Sequence, residues 1–80
     1  MDSKFRIRLC SDLKYEEMVA DICYDNHTIA TISQEKGVNN MEIEFIYEPF
    51  EDSRVIFLLD DYCEAIQCAK NFLIEMKKNI

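Results

Sequence analysis

The closing third of the chain constrains the fold most. Arg54-Val55-Ile56-Phe57-Leu58-Leu59 is an apolar run, Asp60-Asp61 interrupts it, and helical periodicity then continues to Lys77-Lys78. Tyr62, Ala65, Ile66, Ala69, Phe72, Leu73 and Met76 recur at three- and four-residue intervals, which puts them on one stripe of a helix over 60–78. Asp60 or Asp61 is placed to cap its start, and Glu64 lies at capping-box spacing from Asp61. Lys77 and Lys78 fall where the helix dipole favours cations. Ala65 and Ala69 are small enough to let the helix lie close to its support. A helix with a single apolar stripe must bury it, and the rest of the chain reads as strands.

Phe5, Ile7 and Leu9 alternate with Lys4, Arg6 and Arg8, the period-two signature of a strand with one buried face. After a polar break at Ser11-Asp12-Leu13-Lys14, Met18, Ala20, Ile22 and Tyr24 share one face and Glu17, Val19, Asp21, Cys23 and Asp25 the other. Asp25-Asn26 tolerates positive φ and predicts a tight hairpin. Thr28 to Gln34 is a third strand whose weak alternation leaves its facing open. A loop is expected over Glu35-Lys36-Gly37-Val38-Asn39-Asn40, which holds the only glycine. Met41, Ile43, Phe45 and Tyr47 then alternate with Glu42, Glu44, Ile46 and Glu48 until Pro49 removes a ladder donor. A fifth strand is expected over Arg54 to Leu59.

Sequential strands joined by short turns imply an antiparallel meander. The expected fold is one α+β domain over residues 1–80. It comprises a four- to five-stranded antiparallel sheet over 4–59 and a C-terminal helix over 60–78 packed on one face. That helix covers one face only. Parity assigns the other face Lys4, Arg6, Arg8, Val19, Asp21, Cys23, Glu42, Glu44, Ile46, Arg54, Ile56 and Leu58. Such a face is either a protein-binding surface or is closed over Ile56 and Leu58 by the loop around Phe50. The basic row Lys4, Arg6 and Arg8 is expected to pair with Glu42 and Glu44.

Sixteen acids against nine bases leave a net charge of −7, which argues against a nucleic-acid binder that works by neutralising phosphates. An acidic surface suits a basic protein partner and speeds its approach. The N-terminal residues hold no apolar run long enough for a signal peptide or membrane span, so a cytoplasmic protein is expected. Cys10, Cys23, Cys63 and Cys68 lack disulfide or metal spacing, and the last two stand about 140° apart around a helix. They read as reduced thiols.

No catalytic constellation emerges. His27 sits alone beside a turn, and the serines and cysteines have no base in a recognisable motif. Glu42 and Glu44 lie about 7 Å apart on one strand face, but a flat face is a poor acid–base site. Neither a Gly-rich phosphate loop nor an EF-hand loop is present. The reading is a binding module without cofactor or metal. Three elements suit recognition: the charged loop Ser33-Gln34-Glu35-Lys36-Gly37, the segment Glu48 to Asp52 that carries Phe50 between Pro49 and Glu51, and the second-strand acids Asp21 and Asp25.

Tyr15-Glu16-Glu17-Met18-Val19-Ala20-Asp21-Ile22, Ile32-Ser33-Gln34-Glu35-Lys36-Gly37, Met41-Glu42-Ile43-Glu44-Phe45 and the ending from Leu59 to Lys70 carry a likeness. Together they resemble the immunity proteins of bacterial contact-dependent growth inhibition and other polymorphic toxin systems. More distantly the chain resembles small sheet-plus-helix antitoxins of the HicB type, without an appended DNA-binding segment. The first resemblance implies neutralisation of a cognate toxin C-terminal domain by tight binding that occludes its active site or substrate surface. Acids would then stand in for the phosphates of an RNA substrate if that toxin targets RNA or translation. The contact candidates are Asp21, Asp25, Gln34, Glu35, Glu42, Glu44, Glu48, Phe50, Glu51 and Asp52, with neither nucleic acid nor membrane as a partner. The second reading is a regulatory antitoxin or homodimeric interaction module in which Val19, Ile46, Ile56 and Leu58 mediate self-association.

Overall fold

The computed structural model describes residues 4–46 and 56–78. Its elements follow in chain order as β1 (Phe5–Cys10), β2 (Val19–Tyr24), β3 (His27–Ser33), β4 (Glu42–Phe45) and α1 (Leu59–Lys78). The four strands form one antiparallel sheet in the order β1-β2-β3-β4, and α1 lies across one face of it against β1, β2 and part of β3. This is an α+β fold.

Local chemistry explains the turns. Asp25 and Asn26 both adopt positive φ, 50° and 69°, as a two-residue type I′ hairpin requires, and Tyr24 faces His27 across it. Gly37 has φ 96° in the β3–β4 loop, where a side chain would be strained. The weak alternation of β3 also has a cause. Cys23 pairs with Thr28 while Ile22 pairs with Ala30, so Ile29 is the extra residue of a β-bulge and is buried out of phase.

Register sorts the side chains. Phe5↔Tyr24, Ile7↔Ile22 and Leu9↔Ala20 face α1, and so do Ala30 opposite Ile22 and Ile32 opposite Ala20. Ala65, Ala69 and Leu73 of α1 are fully buried against this face, so the two alanines do bring helix and sheet close together. At the start of α1, Phe57 packs on Phe5, Tyr24 and Tyr62 with ring centroids 5.2, 4.7 and 5.3 Å away. Aromatic edges meeting faces at these separations add to plain burial.

Three expectations need correction. Residues 56–58 form no strand, and α1 already begins at Leu59. Phe57 is drawn into the aromatic cluster, while Ile56 and Leu58 stay exposed beside the start of the helix rather than on a sheet face. Arg54 and Val55 lie outside the described residues. Neither Asp60 nor Asp61 is the N-cap, because the Leu58 carbonyl accepts the Tyr62 N–H at 3.2 Å and so occupies that position. The two acids sit instead in the first turn, where they favour the positive end of the helix dipole. Finally, Arg6 and Arg8 cannot pair with Glu42 and Glu44, since β1 and β4 are opposite edges of the sheet.

Candidate partner-binding surface

The face away from α1 is built around a buried acid. Asp21 sits between Arg8 on β1 and Thr31 on β3, and it is only 8% exposed. Arg8 donates to Asp21 Oδ2 at 2.9 Å, Thr31 Oγ1 donates to Oδ1 at 2.8 Å, and the Cys10 thiol donates to Oδ2 at 3.4 Å. The bond to Asp21 raises the Arg8 guanidinium further above its ordinary value. Burial, reinforced by the neighbouring Asp21 carboxylate, pushes the Cys10 thiol up from 9.0. Iodoacetamide should therefore label Cys10 several-fold more slowly than the exposed Cys63 at neutral pH, with the gap narrowing as the pH rises past the ordinary thiol range. Peptide mass spectrometry of timed samples reads this, and equal rates would show that Asp21 and burial leave the thiol unprotected.

The loop over residues 11–18 folds back across one end of this face. Lys14 reaches Glu44 on β4, Nζ to Oε2 at 2.8 Å, which raises the Lys14 pKa. The Glu35 carboxylate accepts the backbone N–H groups of Glu16 and of Glu17, the latter at 3.2 Å. Gln34 Nε2 donates to the Met18 carbonyl at 3.0 Å and pins the end of the loop. Val19, assigned to the open face by parity, ends up 1% exposed rather than presented to solvent.

These contacts gather the sequence candidates unequally. Glu35, Glu42 and Glu44 are exposed at the loop end of the sheet, with Lys36 on Glu42 at 3.0 Å. Asp25 is exposed at the opposite, hairpin end. Asp21 and Gln34, the latter 3% exposed, face inward and hold the fold together. Glu48, Phe50, Glu51 and Asp52 lie outside the described residues. Glu16 and Glu17 were not among the candidates, yet Glu35 draws both to the same end, where they are exposed. Only the ability of a loop carboxylate to collect backbone donors could have hinted at that.

No family model, curated protein or solved structure matches the chain. Its own geometry carries the reading. No group of three or more His, Cys, Asp or Glu that could hold a metal occurs among the described residues, and no helix there is long and apolar enough to cross a membrane. A depression of about 280 Å³ lies between Tyr15, Ser33 and Glu44. What the surface offers is exposed carboxylates on and beside the sheet, with Lys14 on Glu44 and Lys36 on Glu42.

Proposed function

We propose that this chain is an immunity-type inhibitor, a cytoplasmic protein that neutralises one cognate bacterial toxin domain by binding it and covering its active site or substrate surface. It performs no chemistry of its own. The observation that carries this reading is the convergence of Glu16, Glu17, Glu35, Glu42 and Glu44 at one end of the sheet, in a protein of net charge −7. Carboxylates presented on a preorganised sheet favour fast, salt-sensitive capture of a basic surface, such as one that handles RNA. Glu48, Phe50, Glu51 and Asp52 are retained in the proposed contact set from the sequence alone, with Phe50 as an aromatic anchor.

Co-expression with the C-terminal domain of whatever large protein is encoded immediately upstream tests the proposal. A stoichiometric complex should co-purify, weaken as salt rises, and rescue cells from that domain. The double variant Glu42→Lys, Glu44→Lys should bind at least about tenfold more weakly while keeping its far-UV circular dichroism. Purification of the chain alone, with no rescue, would remove the reading.

A further inference from the structure

The two edges of the sheet carry opposite charge and matching backbone. β1 presents Arg6 and Arg8 on the open face and Phe5 and Ile7 on the helix face. β4 presents Glu42 and Glu44 on the open face and Ile43 and Phe45 on the helix face, all four exposed. We propose that the chain assembles with copies of itself head to tail, the β1 edge of one copy pairing antiparallel with the β4 edge of the next.

Hydrogen-bond parity supports this pairing. The Lys4 carbonyl accepts the Asp25 N–H at 3.0 Å, so alternation turns the N–H and C=O groups of Phe5, Ile7 and Leu9 outward from β1. Ile46 N–H donates to the Ile29 carbonyl at 3.0 Å, which by the same rule turns those of Ile43 and Phe45 outward from β4. An antiparallel meander of four strands leaves β1 and β4 running in opposite directions. A neighbouring copy in the same orientation therefore continues the sheet. The register that sets Ile7 opposite Ile43 also sets Phe5 opposite Phe45, Arg6 opposite Glu44 and Arg8 opposite Glu42. The charged pairs fall at the non-hydrogen-bonded positions, where side chains approach closest.

The helix layer fits as well. Phe72 is 46% exposed and, with Cys68, stands over the β1 edge, where a groove of about 570 Å³ is lined also by Arg6, Arg8, Cys23, Asn26 and Thr28. A second groove of about 270 Å³ runs between β4 and α1, lined by Met41, Ile43, Phe45 and Ile66. Continuing the sheet brings the first groove of one copy against the second groove of the next. Symmetric alternatives that keep both helices on one side are disfavoured, because β1 on β1 opposes bases to bases and β4 on β4 opposes acids to acids. The inference stands on the two edges alone and does not need the toxin reading; because it engages Glu42 and Glu44, a copy seated on β4 would compete with the partner proposed above.

Sedimentation of the full chain from micromolar to millimolar concentration tests it. A head-to-tail contact leaves a free edge at each end, so the weight-average mass should climb past the dimer. Arg6→Glu and Glu44→Arg should each weaken association about tenfold, and their equimolar mixture should restore it, since each interface then joins unlike charges. Arg6→Gln and Glu44→Gln serve the same reading where circular dichroism shows a reversed variant misfolded; each should weaken association less than reversal does. A wild-type chain that stays monomeric, a mass that stops at the dimer, or a mixture no stronger than either reversed variant would overturn the proposal.

Discussion

Leu73→Ala should lower the thermal midpoint by about 10 °C or more, the largest loss expected from any single truncation on α1. Leu73 is 0% exposed, and its fully buried companions on the stripe, Ala65 and Ala69, bring almost no side-chain volume. The helix is thus held by close approach at the two alanines and by Leu73, a large and fully buried side chain, with Tyr62 and Ile66 packed in part against the same core. Truncating such a residue costs about 2–5 kcal/mol, from lost transfer energy and the cavity left behind. A domain of this size has roughly 4–12 kcal/mol in total, so a large share of its stability goes. Enlarging a neighbour should also hurt, since Ala69→Leu forces helix and sheet apart at a cost of about 1–3 kcal/mol. Phe72→Ala, at a half-exposed position, should cost much less than Leu73→Ala. Urea unfolding with an unchanged m-value measures all three. A Leu73→Ala loss below about 1 kcal/mol would mean that α1 is not anchored there.

Much of this architecture was legible because period two and period 3.6 are strong signals in β1, β2 and α1. Asp25-Asn26 announced its turn through side chains that tolerate positive φ. β3 was less legible because the bulge at Ile29 breaks the alternation, and a bulge has no side-chain signature of its own. The run Ile56-Phe57-Leu58 is apolar throughout, like a buried strand, but three residues feeding a helix can place one aromatic in a core without any ladder. Parity also assigns faces without assigning neighbours, which is why Arg6 and Arg8 were set against Glu42 and Glu44 across two intervening strands. The candidate surface shows the same division. Exposed Glu35, Glu42 and Glu44 could be read from the pattern, whereas the burial of Val19 and the arrival of Glu16 and Glu17 depend on where a turn-rich loop folds back. Asp21 occupies an open-face position, yet it is 8% exposed, with Arg8, Thr31 and Cys10 gathered on its carboxylate.

Asp21→Val should destabilise the fold by about 1–3 kcal/mol, chiefly through Thr31. The Thr31 hydroxyl is buried and donates to Asp21 Oδ1 at 2.8 Å, so removal of the carboxylate leaves it without that acceptor. Arg8 contributes less, because its side chain is 63% exposed and its guanidinium can turn to water. The two sources separate cleanly. Adding Thr31→Val to Asp21→Val removes the stranded hydroxyl and should recover about 1 kcal/mol, whereas adding Arg8→Ala should recover almost nothing. Denaturant unfolding of the wild type, the three single variants and the two doubles supplies both cycles. If the Thr31 double variant is no more stable than Asp21→Val alone, the cost does not run through the Thr31 hydroxyl; recovery in the Arg8 double variant instead would assign it to the ion pair. The outcome also bears on the proposed function, since Asp21 is buried and bound within its own sheet. Under that proposal Asp21→Val should change partner capture only as far as it changes the folded fraction, whereas reversal of Glu42 and Glu44 should weaken capture in fully folded protein.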